Sequence, residues 1–241
     1  MSALNPPVKP GLKPGQVQYQ YRHAIGGFFE FPTENARKLI PSFMSPVEPH
    51  HGQSVLSVMA FDFSGSSVGE YGELVLSVPV APRLVRGMHL PRAAFYPFLV
   101  GTTTRASREH AIELWHLPHF PEDIEIKFNV GEHEITVSAA HGGSKILDMR
   151  ITDYEWEPVE HYYQAFEHDA SGTYMATMAM NAQFSENEEE RGSIEIYPHA
   201  FTKGLDPDGV NETPFRELWM RDGKQTFDPL ETITSSEPSR A

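Results

Sequence analysis

The segment Glu73-Leu74-Val75-Leu76-Ser77-Val78-Pro79-Val80 decides the fold class. Its apolar residues Leu74, Leu76, Val78 and Val80 fall on every second position. A period of two is the mark of a strand with one face in a core. Glu73, Val75 and Ser77 share the opposite face. A carboxyl on that less apolar face is a candidate for proton chemistry, because burial raises its pKa toward the general-acid range.

The neighbouring sequence repeats the pattern. Ser54 to Phe61 is β-branched and apolar. Ile124, Ile126, Phe128 and Val130 alternate on one side of a second run, Gly131-Glu132-His133 turns the chain, and Glu134 to Ala140 returns, which predicts a hairpin. Lys145 to Tyr154 and Gly192 to Tyr197 read as further strands. One short helix is expected, with Thr33 as cap, Glu34 at its positive end and Pro41 as stop, so that Ala36, Leu39 and Ile40 face the core. The 20 prolines and 18 glycines favour turns over long helices. The expectation is a mainly β (α+β) domain with a few short helices, its strands closed or nearly closed into an antiparallel β-barrel, since closure removes exposed edges. A barrel mouth is a common place for a small-molecule pocket.

The 241 residues suit one large β-rich domain. Residues 1–16, rich in proline, read as an extended arm, residues 17–230 as the domain, and residues 231–241 as a frayed tail. No secretory leader and no apolar run long enough for a transmembrane helix is visible. Nineteen Lys and Arg stand against 33 Asp and Glu, a net charge of -14 with histidine neutral. That field repels phosphate backbones and anionic membranes, so neither nucleic acid nor a membrane is an expected partner. The chain has no cysteine, which excludes disulfides, thiolate metal sites and cysteine nucleophiles and fits a cytoplasmic protein. No Gly-x-Ser-x-Gly, phosphate loop or dinucleotide fingerprint occurs, so no cofactor is expected.

His110, Glu113, His116 and His119 recur at intervals of three. On a helix they would suggest a metal face. Residues 114–118 read instead as strand and loop, which sends His116 and His119 to opposite sides, so no metal site is expected.

Two segments taken together resemble the acetoacetate decarboxylase family. In Gly69-Glu70-Tyr71-Gly72-Glu73-Leu74-Val75-Leu76-Ser77-Val78-Pro79-Val80 a Tyr-x-Glu opens an apolar strand. Further on comes Glu113-Leu114-Trp115-His116-Leu117-Pro118-His119-Phe120. Arg37-Lys38-Leu39-Ile40-Pro41 is similar to an early segment of the same family. The resemblance implies a cone-shaped antiparallel β-barrel, an enclosed apolar active site, a homo-oligomer and Schiff-base chemistry. In that chemistry a lysine follows the proline, and a second lysine lowers its pKa.

Here the sequence departs from the family. His119 and Phe120 follow Pro118, and an imidazole cannot form the iminium. The family's second pocket glutamate falls at Ser57, its arginine near Ala24 with Arg22 and His23 as neighbours, and its Gly-Arg at Ala111-Ile112. Of the catalytic set only Glu73 remains, so ordinary acetoacetate decarboxylation is not expected. The implied activity is lysine-free acid/base chemistry (lyase, dehydratase, isomerase or cyclase) on a small apolar oxo or enol compound, in a setting such as secondary metabolism. Glu73 and His119 would share the acid and base roles. Tyr71, Trp115, His116, Phe120, Ser57 and Arg22 would bind the substrate. The alternatives are a non-catalytic small-molecule binder on the same barrel, and a decarboxylase or aldolase with its Schiff base relocated to Lys127 or Lys145.

Overall fold

The computed structural model describes residues 12–233. Residues 1–11 of the expected arm and 234–241 of the expected tail lie outside the described residues. In chain order the elements are β1 (Val17–Pro32), α1 (Thr33–Leu39), β2 (Gln53–Gly65), β3 (Tyr71–Val80), β4 (Ala93–Thr102), α2 (Arg105–Trp115), β5 (Glu125–Val130), β6 (Glu134–His141), β7 (Ser144–Thr152), β8 (Glu157–Asp169), β9 (Gly172–Asn187), β10 (Ser193–Ile196), β11 (Arg216–Phe227) and β12 (Glu231–Ile233).

Strands β11-β1-β2-β3-β4-β8-β9 follow one another, and β9 pairs back onto β11, so seven strands close a barrel. The barrel is mixed rather than wholly antiparallel. Ala93, Ala94 and Phe95 of β4 run parallel to Tyr163, Gln164 and Ala165 of β8, while the other pairings are antiparallel. Between β4 and β8 the chain builds α2 and three strands, β5, β6 and β7, of a second, four-stranded sheet of order β10-β7-β6-β5, which β10 completes after β9. A long crossover of that kind is what a parallel pairing requires. Residues 231–233, expected in the frayed tail, instead pair with Met175, Tyr174 and Thr173 of β9.

The strand Tyr71–Val80 has two different buried faces. Leu74, Leu76 and Val78 are fully buried in a core shared with Ile25 and Phe29 of β1, Val58 of β2, and Ile135, Val137, Leu147 and Met149 of the second sheet. Glu73, Val75 and Ser77 face the barrel interior. The second sheet thus covers one side of the barrel, and the wall strands between are apolar on both faces, as doubly covered strands must be. On β1 a register shift between Tyr21 and His23 changes which parity points inward. Before it Tyr19 and Tyr21 belong to the interior cluster, and after it Ala24 and Phe28 do. One extra residue is enough to flip every later side chain.

The seam between the barrel and the second sheet is fastened by Glu217 of β11, which is fully buried. Its carboxylate accepts hydrogen bonds from Thr152 N and Oγ1, Arg191 N and Gly192 N, at 2.6–3.0 Å. Position 192 must be glycine for this approach, because a Cβ there would sit 2.6 Å from the Glu217 Oε2 and 2.7 Å from the Arg150 carbonyl oxygen.

Helix α1 forms where expected, with Ala36 and Ile40 buried. Thr33 is its first residue rather than its cap, and the Thr33 Oγ1 is buried without a partner. Helix α2 takes in Leu114 and Trp115, where a strand is expected, and residues 116–118 follow it as the expected loop. Thr104 caps it by accepting from Ser107 N at 3.2 Å, and Arg105 pairs with Glu109 one turn on. It ends at His116, which takes the left-handed conformation at φ 56°. None of the helices among the described residues is long and apolar enough to cross a membrane.

Candidate functional site

Strand closure leaves a cavity of about 130 Å³ inside the barrel, comparable to an engineered apolar cavity that holds benzene. Its walls are mostly apolar, including Phe28, Phe61, Phe95, Met59 and Met180. Helix α2 contributes His110, Ala111 and Trp115, and Leu117 follows from the segment beyond it. A larger open groove lies on the second sheet. Its basic side chains are each engaged by a carboxylate, Lys127 by Glu125, Lys145 by Asp148 and Arg150 by Glu134. The barrel cavity is the candidate site because it gathers, within mostly apolar walls, carboxyls that have no ion-pair partner among the described residues.

Two of those groups are carboxyls. Glu73 projects from β3 opposite Phe61 of β2 and Thr102 of β4. It is half-buried and lines the cavity. Enclosure by protein raises its pKa from an ordinary 4.5 to about 8. Glu167 of β8 is 2% exposed, lines the same cavity, and neither of its carboxyl oxygens has a hydrogen-bond partner. Burial likewise pushes its pKa well above the carboxylate range. In both cases desolvation is the cause: a low-dielectric surrounding penalises the charged form. No lysine or arginine lines the cavity, so nothing there offsets the preference of both carboxyls for the neutral form, and at neutral pH that form dominates in Glu73.

Beside Glu73 lies a chain of three hydrogen-bonding side chains. Trp115 Nε1 donates to the Tyr19 hydroxyl at 2.8 Å. The Tyr19 hydroxyl lies 2.7 Å from His110 Nε2. In the tautomer with Nε2 unprotonated, Tyr19 accepts from Trp115 and donates its own proton to His110. Burial lowers the pKa of His110 below 6.5, which keeps the ring neutral. The hydroxyls of Tyr19 and Tyr71 are raised in pKa by burial foremost, and the Glu73 charge adds to this, which places all three groups in one neighbourhood. The Tyr71 hydroxyl makes no hydrogen bond among the described residues.

Of the residues expected from sequence, Glu73, Tyr71 and Trp115 come together in the cavity lining. Ser57 is buried on β2, directly across from the cavity-lining Ser77, and its Oγ has no partner. The other four lie elsewhere. His119 takes a place in the barrel wall beside Val100, outside the cavity lining. Its Nδ1 contacts the Phe120 carbonyl oxygen at 2.9 Å, and its Nε2 is buried without a partner. Phe120 packs against His141 and Phe201 in the core shared with the second sheet. His116, turned by the left-handed cap, pairs with Asp169 and stacks on Tyr174 at 4.1 Å. Arg22 is on the surface, where its guanidinium grips both oxygens of Asp62 and reaches Glu70. The two candidate lysines are also outside: Lys127 pairs with Glu125, and Lys145 with Asp148 and Tyr197. The residues of the three-residue spacing diverge, since His110 enters the cavity and His116 and His119 do not.

Tyr19, His110 and Glu167 are cavity groups that sequence reasoning missed. For His110 a signal existed: Thr104 three residues before Ser107, with Arg105 and Glu109 four apart, marks a capped helix start.

The sequence model of the acetoacetate decarboxylase (ADC) family matches residues 4–195. The chain belongs to the acetoacetate decarboxylase family. Among solved structures, it resembles the acetoacetate decarboxylase of Legionella pneumophila at 15% identity and a TM-score of 0.58, with 94% of this chain and 92% of that one covered. The enduracididine biosynthesis enzyme MppR complexed with pyruvate is similar at 9% identity and TM-score 0.58, covering 94% and 93%. An acetoacetate decarboxylase-like enzyme from Sphingomonas wittichii RW1 matches at 11% identity and TM-score 0.54, covering 94% and 99%. Identities this low speak for the fold alone. No curated protein matches the sequence.

Proposed function

We propose that this family member is an enzyme that moves protons on a small, neutral, largely apolar oxo or enol compound, without a Schiff base. The observation that carries the reading is Glu73, a carboxyl held neutral in an enclosed cavity beside the Tyr19–His110 pair. Two groups whose surroundings push their pKa values apart supply an acid and a base at the same pH. Neutral Glu73 gives its proton to the carbonyl oxygen. The proton lost from the adjacent carbon passes to the Tyr19 oxygen as Tyr19 hands its own to His110. The product is an enol, with Glu73 ionised and His110 protonated; return of the proton from His110 through Tyr19 to a conjugated carbon, and of the enol proton to Glu73, completes an isomerisation. His110 thus takes the base role expected of His119, because His110 faces the cavity. The Tyr71 hydroxyl holds the substrate oxygen, and Trp115 fixes Tyr19.

A carboxylate substrate fits poorly. MppR is complexed with pyruvate, an anion, whereas this cavity offers two carboxyls and no cation. The family resemblance further carries a homo-oligomer. The loop between β3 and β4 exposes Leu84 and Leu90, at 68% and 76%, apolar surface suited to such a contact.

The test is deuterium exchange at the carbon beside the carbonyl of a 2-alkanone, followed by proton NMR. Wild type exchanges across a pH window bounded below by His110 protonation and above, near 8, by Glu73 ionisation. Glu73→Gln and His110→Asn each lose about a hundredfold or more, the usual weight of a positioned acid or base. Undiminished exchange in both variants overturns the assignment. A non-catalytic binder is favoured by one observation, the absence of any lysine from the lining. It would bind the ketone without exchanging it.

A further inference from the structure

Glu167 has no part in the proton transfers above, yet it is the most costly group in the cavity. A buried polar atom without a partner costs on the order of 1–3 kcal/mol, and Glu167 carries two such oxygens. Glu217, equally buried in the same barrel, shows what a structural carboxylate looks like here, with four donors converging on it. Nothing of the kind surrounds Glu167. Directly across on β9 stands Tyr174, but its hydroxyl is engaged with Ser171 and its ring stacks on His116. The next pair on the same face, Ala165 and Ala176, offers no side-chain donor, and Tyr96, near enough to feel the Glu167 charge, makes no hydrogen bond to it. A group that the fold leaves unpaired but aims into a ligand-sized space is arranged for a ligand.

We propose that Glu167 is a second anchoring group of the cavity, which selects a substrate carrying a neutral hydrogen-bonding group, a hydroxyl or a carboxamide, at a distance from its reacting carbonyl. The inference rests on the reading of this cavity as the substrate site. A neutral carboxyl presents a hydroxyl donor and a carbonyl acceptor side by side, and hydroxyls and carboxamides complement both. An anionic ligand is repelled by any ionised fraction and finds no cation. An ammonium would require Glu167 to ionise, which puts two charges in an apolar site at a desolvation cost that pairing seldom recovers. The specificity gained is large in principle, because an analogue lacking the polar group leaves Glu167 unpaired.

Calorimetry with 2-alkanones of graded chain length, and with their ω-hydroxy and ω-amino analogues, tests this. Wild type is expected to bind one ω-hydroxy ketone at least about tenfold more tightly than its parent. Glu167→Gln, which keeps a donor and an acceptor, retains the preference within about threefold, and Glu167→Leu abolishes it while tightening the parent ketone. No preference in wild type at any length, or a preference that survives Glu167→Leu, overturns the proposal. Tightest binding of the ω-amino ketone, lost in Glu167→Gln, overturns it in favour of a cation site. These readouts are affinities, so they separate from the exchange reaction. Exchange without hydroxyl preference refutes the anchor alone, and hydroxyl preference without exchange refutes the catalytic reading alone.

Discussion

Glu217 and Glu167 are the same residue type at nearly the same burial, 0% and 2% exposed, on two strands of one barrel. At the seam with the second sheet, Glu217 collects four hydrogen bonds from β7 and from the segment leading into β10. In the interior, Glu167 collects none. The seam is a place where polar atoms hold elements together. In the interior the Trp115–Tyr19–His110 chain is satisfied, while the Glu167 carboxyl is left without a partner and stability is given up there. Burial alone therefore says little about what a carboxyl does. The decisive observation is whether the fold supplies it with partners.

Replacing Glu217 by Leu is the severest way to test the contrast. Four donors, three of them backbone N–H groups, lose their acceptor, and a loss of about 3–5 kcal/mol is expected in urea unfolding. A loss below about 1 kcal/mol would show that water or rearranged backbone satisfies those donors, and the distinction between the regions would fail.

Glu167→Leu is expected to act in the opposite direction. It removes two unpartnered oxygens and adds apolar surface to an apolar wall, so it should stabilise by about 1–3 kcal/mol. A destabilised Glu167→Leu would mean that Glu167 supports the fold.

The seam and the interior also differ in how far the sequence announces them. The alternation Leu74, Leu76, Val78 against Glu73, Val75, Ser77 separates the two faces of β3 correctly, because a strand of strict period two keeps each parity on one side. Five barrel strands, β1, β4, β8, β9 and β11, are not individually picked out by alternation. On β1 the shift at Tyr21–His23 breaks the parity midway. On β8, Tyr163, Ala165 and Glu167 line the cavity, a set in which polar and small residues replace the expected apolar row. The site is legible at Glu73, where strand pattern and family position coincide. It is illegible at Tyr19, His110 and Glu167, whose meeting depends on barrel closure between residues far apart in the chain. His119 illustrates the limit. Its place after Pro118 marks it as the substitute for a lysine, but the left-handed turn at His116 and the pairing with Val100 set it in the wall beside the cavity.

The gentlest test reads protons rather than contacts. Glu73 binds its proton up to about pH 8 in the folded protein, against an ordinary 4.5 when unfolded. Between those values the native state holds a proton that the unfolded chain has released. Stability from this group is therefore fully present below about 4.5, and it declines as pH rises toward 8 and is flat beyond. Each such group contributes a slope of at most about 1.4 kcal/mol per pH unit, and water in the cavity reduces it. Glu167, also raised, adds to the same decline. Glu73→Gln and Glu167→Gln should each flatten the curve across that window, and the double variant should flatten it further. Glu217→Gln weakens the acceptor that four donors share at the seam, so it is expected to lower stability without removing the slope. If the Glu217 variant abolishes the decline and the cavity variants leave it intact, the unpaired carboxyls have been assigned to the wrong side of the barrel wall.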